Sequence, residues 1–220
     1  FKPLYGVSTV CIQTKIYGYP CGVIGNNGPI DPNGATKAAQ FIQLCDQSNI
    51  PLIFLSNTTG FMVGKQFEQL GMIKHGAKLI QAVSNVRVPK ITFNIGASFG
   101  AGNYAMCGYA YKPDFIFSWP NAMIGVMGGE QAAKTMEQVM ISSAKRKGVE
   151  IDNEKLKKQI IEIAEKYNAQ SDAFTTSGRG LDYGIIEPVK TREILGFLLD
   201  TFWETLNRST KSNSFGIARL

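Results

Sequence analysis

Side chains that could act as catalysts are scarce in this sequence. His75 is the one histidine among 220 residues, which excludes zinc sites built on several imidazoles and acid–base schemes that need two histidines. Ser98 lies in the string Gly96-Ala97-Ser98-Phe99-Gly100, which formally matches the GxSxG pattern of hydrolase nucleophiles. Hydrolases of that type follow the order serine, acid, histidine. Because His75 precedes Ser98, a hydrolase triad is not predicted.

Two further side chains have both a chemical and a structural interpretation. Glu130 follows Gly128-Gly129 at the start of a predicted helix, where it could serve as an acid or base. A carboxylate in the first turn of a helix also stabilises the helix dipole, and we favour that role. His75 lies within a predicted helix, and a structural role is favoured there too.

Glycine-rich segments offer backbone groups in place of catalytic side chains. Residues 57–64 and 96–103 each follow a predicted buried strand, where open parallel sheets bind ligands. The second segment also opens a helix, whose free N–H groups and positive dipole end favour developing negative charge. Two such N–H groups could form an oxyanion hole, although tight packing of helix on sheet also requires small residues. Neither segment fits the GxGxxG or GxxxxGK[ST] nucleotide-binding patterns.

The elements that must position these segments alternate between strands and helices. Residues 7–16 and a second strand through Ile24 are predicted to form a hairpin around a turn at residues 17–20. Short apolar runs predict buried strands at 51–55, 88–95 and 114–117, the last as a third central strand. Six helices are predicted: from about Asn33, after Gly64, at 103–110, from Glu130, from Asp152 or Asn153, and at 190–207. Three of them have an apolar stripe. The stripe of the helix after Gly64 is Leu70, Ile73, Ala77, Ile80 and Val83; that of the helix from Asp152 or Asn153 is Leu156, Ile160, Ile163, Ala164 and Tyr167; and that of the last helix is Ile194, Leu195, Leu198 and Phe202. This order predicts an α/β domain with a largely parallel sheet. The last helix is equally expected to pack on this sheet or on a partner subunit.

Composition and charge narrow the class of protein. With 44% hydrophobic and 18% charged residues, the chain can bury a sizeable core, and no apolar run approaches the roughly 20 residues of a membrane span. The net charge is 23 − 17 = +6. The densest basic stretches are residues 145–147 and the set Lys155, Lys157 and Lys158; the second is mixed with glutamates, and aromatics do not interleave with these lysines. A solvated helix face is therefore favoured over a nucleic-acid or membrane surface.

Cysteine usage indicates a reducing compartment. The four cysteines include no CxxC motif and lie among apolar or small residues: Cys11, Cys21, Cys45 and Cys107. Buried free thiols are therefore predicted, and a Cys11–Cys21 bridge is the less favoured alternative. The sequence begins with Phe1, so a targeting peptide cannot be judged from it.

Six strings in a fixed order resemble the C-terminal half of the carboxyltransferase (β) subunit of biotin-dependent acyl-CoA carboxylases. They are Gly25-Asn26-Asn27-Gly28, Ile50-Pro51-Leu52, Thr59-Gly60-Phe61-Met62-Val63-Gly64, Gly100-Ala101-Gly102-Asn103-Tyr104, Trp119-Pro120-Asn121-Ala122 and Val126-Met127-Gly128-Gly129-Glu130-Gln131-Ala132-Ala133. The resemblance continues to Gly184-Ile185-Ile186-Glu187-Pro188 and Phe215-Gly216, and thus runs nearly end to end. It is greatest to the methylcrotonoyl-CoA carboxylase branch, because other branches carry Pro-Gly-Phe and Gly-Gly-Ala-Tyr in the two glycine-rich segments.

The resemblance implies a crotonase-like fold, a β-β-α superhelix, and one C-terminal carboxyltransferase domain over residues 1–220. It implies transfer of CO2 from carboxybiotin to an acyl-CoA, with 3-methylcrotonoyl-CoA of leucine degradation as the best substrate. The backbone N–H groups of Ala101 and Gly102 would form the oxyanion hole. Gly60, Phe61 and Gly100 would line the biotin side with them. A bulky residue at Ala101 or Gly102 is then expected to lower turnover and leave the fold intact.

The same resemblance implies cofactors and partners. Biotin would be carried by a biotin carboxylase or biotin carrier subunit, acyl-CoA would be the substrate, and no metal is expected. The resemblance implies that the family's N-terminal carboxyltransferase domain is not part of these 220 residues. The chain is therefore expected to be inactive alone and to belong to a homo-oligomeric core, a hexamer in the family. The cytoplasm of bacteria or the mitochondrial matrix is the expected compartment, and secretion is not. Residues 142–173 depart from the family pattern, which is interpreted as a variation in partner contacts.

Two other interpretations remain open. One is a different crotonase-fold enzyme, such as an acyl-CoA decarboxylase subunit, a hydratase or an isomerase, for which Glu130 would be the available carboxylate. The other is a non-catalytic assembly subunit or basic binding module that uses the lysine-rich helix. Salt-sensitive binding of DNA would favour that interpretation.

Overall fold

One six-stranded sheet organises the part of the chain that the structure describes. The structure, a computed structural model, describes residues 1–148, 152–212 and 214–217. The strands are β1 Thr9–Ile16, β2 Tyr19–Asn26, β3 Leu52–Thr58, β4 Lys90–Phe99, β5 Phe115–Ser118 and β6 Met123–Gly125. Their order is β1-β2-β3-β4-β5, and β6 pairs with the end of β4. The β1–β2 pair is an antiparallel hairpin, as predicted, and the remaining pairs are parallel.

Eight helices of the described residues surround this sheet. They are α1 Pro32–Gln47, α2 Lys65–Gln69, α3 Met72–Asn85, α4 Gly100–Ala105, α5 Gly129–Lys147, α6 Asn153–Ser171, α7 Ala173–Gly178 and α8 Thr191–Asn207. Short 3-10 turns lie at Tyr109–Tyr111 and Pro188–Lys190. The predicted alternation of strands with helices is confirmed.

The larger core lies between one sheet face and helices α1, α3 and α4. Helix α1 begins at the expected place because the Asp31 carboxylate accepts a hydrogen bond from Gly34 N, 3.0 Å away, and Pro32 occupies the first turn. Its apolar stripe, including Phe41 and Ile42, is buried against Phe54 of β3. This packing holds the carboxyl ends of β3 and β4, where the two glycine-rich segments begin.

The opposite sheet face is covered by α8. Leu195, Leu198 and Leu199 of this helix form a second buried cluster with sheet residues that include Ile53 and Phe93. The last helix therefore packs on the chain's own sheet, which answers the question that its amphipathic pattern left open.

Helices α5 and α6 pack against each other and carry the lysine-rich region. Asp152 caps α6, because its carboxylate accepts hydrogen bonds from Glu154 N and Lys155 N. Leu156 is buried in the expected stripe, whereas the cationic side chains at 145–147 are exposed, as predicted for a solvated face. Part of the segment 142–173 that departs from the family pattern, residues 149–151, lies outside the described residues.

Several predicted element boundaries are wrong. Strand β4 continues through Phe99, so residues 96–99 form strand and not loop, and α4 spans Gly100–Ala105 instead of 103–110. The sheet extends there because residues 97–99 pair with β6. Strand β5, expected to be central, is the last strand of the β1–β5 order, and residues 183–186 form hydrogen bonds along it.

The predicted apolar stripe after Gly64 is correct only in its last part: Val83 is buried and Ile80 is half-buried, whereas Leu70, Ile73 and Ala77 are exposed. The helix is interrupted at Leu70 and Gly71, because Gly71 adopts a left-handed backbone with φ of 82°. The new helix α3 therefore buries Met72, Gly76 and Leu79, while Leu70 and Ile73 are exposed. The spacing of apolar residues alone does not indicate this break between the two helices.

Candidate active site

The two glycine-rich segments meet at the carboxyl ends of β3 and β4. A Cβ atom added to Gly102 would lie 2.8 Å from Gly60 Cα and 2.8 Å from Thr58 Cγ2. Any side chain at position 102 would therefore collide with the backbone of the other segment. The structure brings these predicted site residues together, and close approach explains why glycine is needed at position 102.

Hydrogen bonds within the first glycine-rich segment, and others with Ile30 just before α1, fix its conformation. Gly60 has a φ of 129° and donates its N–H to Thr58 Oγ1, 3.2 Å away, while Thr58 Oγ1 donates to Gly60 O at 3.1 Å. Ile30 N also donates to Gly60 O, and Met62 N donates to Ile30 O, each at 2.9 Å. The N–H of Gly60 is thus used inside the loop.

The Phe61 side chain is held by α3. A Cβ at Gly76 would lie 3.3 Å from its ring, so the absence of a side chain at Gly76 lets the ring pack on the helix. Phe61 is half-buried there. This contact fixes the position of the first segment beside α4.

The second segment presents backbone donors at the start of α4. Gly100 has a left-handed φ of 53°, and no side chain caps this helix. The N–H groups of a first helical turn have no partner within the helix, so those of Ala101 and Gly102 can serve an external acceptor. Ala101 is exposed and Gly102 is buried. The arrangement can stabilise negative charge that develops on an oxygen atom.

A cavity of about 670 Å³ adjoins the start of α4. Gly100 and Ala101 line this cavity, whereas Gly60, Phe61 and Gly102 lie outside its lining. The rest of its wall comes from β4, β5, β6, α6, α7 and the chain beyond them. Among the described residues that line it there is no Asp or Glu. Its chemistry is therefore supplied by backbone groups, amides, hydroxyls and one arginine, Arg179.

A second cavity, of about 580 Å³, holds the carboxylate that the sequence singled out. Thr59, Gly128 and Glu130 are among its lining residues, and Glu130 is exposed in the first turn of α5. The structure therefore places Glu130 near the first glycine-rich segment but outside the lining of the 670 Å³ cavity. Its position in the first turn agrees with the dipole role that the sequence favoured.

Ser98 and His75 have structural partners. The Ser98 side chain is fully buried; its Oγ lies 2.9 Å from Ser56 Oγ and accepts a hydrogen bond from Asn103 Nδ2 at 2.9 Å. His75 Nδ1 lies 2.8 Å from Thr36 Oγ1, whose hydroxyl donates to Pro32 O. This contact ties α3 to α1 through the His75 ring.

The cysteines are buried free thiols, as predicted. Burial raises the pKa of Cys11, Cys21 and Cys107 from 9.0 to about 11 and that of Cys45 to about 12. Such thiols are protonated at neutral pH and are poor nucleophiles. Within the described ranges, no group of three or more His, Cys, Asp or Glu residues could hold a metal ion. Nor is any helix there long and apolar enough to cross a bilayer.

Sequence reasoning missed the polar wall of the 670 Å³ cavity. Asn94 lies in the buried strand β4, and its buried amide connects through Ser118 to Asp182. A polar residue in a buried strand was the available signal. Asp182 and Arg179 precede the Gly184–Pro188 string, but their proximity to β4 depends on a bridge between Ser118 and Ile185 that the sequence does not reveal.

Comparison with known proteins identifies the family. Residues 1–214 match the model of the carboxyl transferase domain. The methylcrotonoyl-CoA carboxylase beta chain of Arabidopsis thaliana is 47% identical over 223 residues, and its probable counterpart in Drosophila melanogaster is 46% identical over 220. Each alignment covers 100% of this chain but only 37% and 38% of those relatives, both named mitochondrial.

Solved structures agree with the sequence matches. The beta subunit of Pseudomonas aeruginosa geranyl-CoA carboxylase aligns with a TM-score of 0.92 and 50% identity, over 100% of this chain and 41% of that one. The transcarboxylase 12S subunit, whose structure is described as a hexamer assembly, aligns with a TM-score of 0.81 and 30% identity, over 98% and 41% of the two chains. The expected crotonase-like α/β fold is confirmed. The chain, which spans less than half the length of these relatives, belongs to the carboxyl transferase domain family.

Proposed function

We propose that this chain is the carboxybiotin-binding part of a biotin-dependent acyl-CoA carboxylase, in which CO2 passes to an acyl-CoA. The observation that carries the proposal is the start of α4, where uncapped N–H groups adjoin a cavity whose described lining has no carboxylate. Such a site suits a reaction in which the protein orients reactants and stabilises oxyanions. The family relatives named methylcrotonoyl-CoA carboxylase support 3-methylcrotonoyl-CoA as the substrate.

The residues present fit the group that this reaction requires. A urea oxygen accepts hydrogen bonds, and the first turn of α4 offers donors to it without a competing side-chain cap. When bound, carboxybiotin supplies the CO2 and then the basic nitrogen that the reaction needs.

The chain's own residues have distinct parts in this proposal. Ala101 N–H and Gly102 N–H hold the urea oxygen and favour its negative charge. Gly60 keeps its N–H inside the loop, so it acts as a wall and not as a donor. Phe61, packed on Gly76, fixes the distance of that wall from α4. Gly100 gives the left-handed backbone that directs the donors outward.

The hydratase interpretation receives less support from this arrangement. Hydratases need carboxylates beside the oxyanion hole, and Glu130 lines the second cavity instead. A decarboxylase subunit remains a competitor, because a methylmalonyl-CoA decarboxylase subunit alpha is 32% identical over 198 residues. The assembly-subunit interpretation has no specific observation in its favour.

The decisive experiment measures carboxylation directly. The full-length protein is combined with a biotinylated carrier and a biotin carboxylase, and ATP-dependent fixation of labelled bicarbonate is followed with methylcrotonoyl-, geranoyl-, propionyl- and acetyl-CoA. Fixation with methylcrotonoyl-CoA as the best substrate is expected. Preference for geranoyl-CoA would correct the substrate, and release of CO2 from an acyl-CoA with no ATP-dependent fixation would favour the decarboxylase. The 220-residue chain alone is expected to be inactive.

Ala101→Pro tests the donor assignment within the same assay. Proline lacks the N–H group but is tolerated in a first helical turn, so the donor is removed with little change in α4. Turnover is expected to fall by roughly 100- to 1000-fold, as when one oxyanion-hole donor is lost. The matched control is Ile73→Pro, at the equivalent first-turn position of α3, where the side chain is 74% exposed. Near-normal turnover in Ala101→Pro would refute the assignment.

A further inference from the structure

Ser98 matches the GxSxG pattern of hydrolase nucleophiles but lies at a buried junction of strands. A nucleophilic serine of that type needs an exposed Oγ at a strand-to-helix turn, whereas Ser98 is 0% exposed within β4. It pairs with Thr58 of β3 on one side and with Ile124 of β6 on the other. The Ser98 hydroxyl is therefore placed where the two glycine-rich segments run side by side, and its role is not attack on a substrate.

The Ser98 hydroxyl joins three elements through hydrogen bonds. Its Oγ lies 2.9 Å from Ser56 Oγ of β3 and accepts a hydrogen bond of 2.9 Å from Asn103 Nδ2 of α4. Ser56 and Ser98 are both 0% exposed, so bulk water cannot replace a partner that is lost. Hydrogen bonds in such a low-dielectric interior are stronger than in water, and breaking one leaves a buried polar group unsatisfied. The chain from Asn103 through Ser98 to Ser56 therefore ties α4 firmly to the sheet.

Helix α4 depends on contacts of this kind for its orientation. It has only six residues and no side-chain cap, and helices shorter than about 12 residues are marginal by themselves. Asn103 directly follows Gly102, so its side chain anchors the turn that carries the N–H groups of the site. The same side chain is enclosed from the other end of α4, because a Cβ atom at Gly108 would collide with Asn103 Oδ1. In addition, Gly108 N donates to Asn103 O at 2.8 Å.

We propose that Asn103 is a positioning residue: through Ser98 and Ser56 it fixes the first turn of α4 on the sheet, and so directs the N–H groups of Ala101 and Gly102 at the oxyanion. Donors stabilise developing charge only when they already point at the atom that bears it, and a misplacement of about 1 Å can cost about 100-fold in rate. Asn103 acts through Ser98 and not on a reactant. This inference rests on the proposed function, because that function assigns the donors of α4.

Kinetics of the full-length protein, with the biotinylated carrier and a biotin carboxylase, test this role. Asn103 also lines the 670 Å³ cavity, so direct contact with a reactant is the alternative that the experiment must separate. Ser98→Ala removes the acceptor from a fully buried position, and it is expected to lower kcat about tenfold or more with an unchanged KM for the acyl-CoA. Asn103→Ala should act similarly. The double variant should be no slower than the slower single variant, because both substitutions break the same hydrogen bond.

Thr36→Val is the matched control. It breaks the 2.8 Å contact between Thr36 Oγ1 and His75 Nδ1, which also joins two elements, but neither α1 nor α3 carries a donor of the site. Its kcat should stay within about twofold of the wild-type value, although the free energy of unfolding decreases as in Ser98→Ala.

Deuterium exchange gives a readout that does not depend on activity. Peptides that contain α4 are followed by mass spectrometry in the full-length protein and its variants. Their amides should exchange about tenfold faster in Ser98→Ala and in Asn103→Ala, and at the wild-type rate in Thr36→Val.

Three results would overturn the proposal. They are a wild-type kcat in Ser98→Ala, effects of the two substitutions that multiply in the double variant, and unchanged exchange of α4 in both single variants. If Ser98→Ala does not fold, Ser56→Ala takes its place and should lower kcat about threefold, because it removes the outer bond of the chain. A wild-type protein that fixes no bicarbonate would contradict the proposed function, and the exchange rates would then decide by themselves whether Asn103 fixes α4.

Discussion

Gly102 and Gly60 lie so close together that a Cβ on Gly102 cannot be accommodated without moving the backbone of the other segment. The sequence-based expectation that a bulky residue at Gly102 would spare the fold is therefore wrong for this position, because the loss of turnover would be mixed with structural damage. Ala101 has an exposed side chain and gives the cleaner test. A substitution at Ala101 therefore tests the backbone donor, whereas one at Gly102 also disturbs the packing against Gly60.

The four buried thiols give a second residue-scale prediction, for alkaline pH. Because folding raises their pKa from 9.0 to about 11 or 12, the folded state holds protons that the unfolded state has released above about pH 9. The free energy of unfolding should therefore decrease as pH rises from about 9 to 11. Urea unfolding across this range measures it, and a flat profile would contradict the burial argument.

Thiol reactivity at about pH 8 is the companion measurement. A pKa raised by about two units lowers the thiolate fraction about 100-fold, so the native protein should react with Ellman's reagent at least that much more slowly than the protein unfolded in guanidinium chloride. Rapid labelling of even one cysteine in the native protein would show that its burial is incomplete in solution.

At the scale of elements, one face of α8 is buried against the sheet and contributes to the free energy of unfolding. Leu199 is fully buried against the sheet, whereas Phe197 on the same helix is 72% exposed. Leu199→Ala is expected to lower the free energy of unfolding by about 2–5 kcal/mol because it leaves a cavity. Phe197→Ala, the matched control, should change it by only about 0.5 kcal/mol. Chemical denaturation of both variants checks this, and equal effects would contradict the packing of α8.

The elements also show where sequence periodicity was sufficient and where it failed. The stripe of α8 is confirmed, because Leu195, Leu198 and Phe202 are buried. In α6 the stripe is confirmed only in part, since Leu156 is buried but Tyr167 is exposed. The stripe through Leu70 and Ile73 failed because Gly71 starts a new helix there. Strand β4 was read too short, since its last residues pair with β6 and that partner lies beyond local patterning. A pairing partner that is distant in sequence, and not local propensity, therefore sets the end of β4.

At the scale of the whole molecule, the order of strands and helices and the two glycine-rich segments were predictable from sequence, and so was the scarcity of catalytic side chains. Their meeting at Gly60 and Gly102 was expected from the family resemblance alone, because local patterns do not give the register of β3 against β4 on which it depends. The Asn94–Ser118–Asp182 connection was not predictable, since its members are separated by 24 and 64 positions. Local sequence patterns indicate the strands, helices and glycine-rich segments, whereas the tertiary structure shows which polar atoms are neighbours.

The sheet order has a consequence for how the chain reaches its native state. The β1–β2 hairpin closes across Tyr17 and Gly18, but β2 must find β3 across residues 27–51, and β3 must find β4 across residues 59–89. Closing long loops before contacts repay the lost entropy slows folding. The β1–β2 hairpin is thus expected to form before the other strand pairs. The apolar strands that follow stay exposed until they pair, and exposed apolar strands are prone to aggregate.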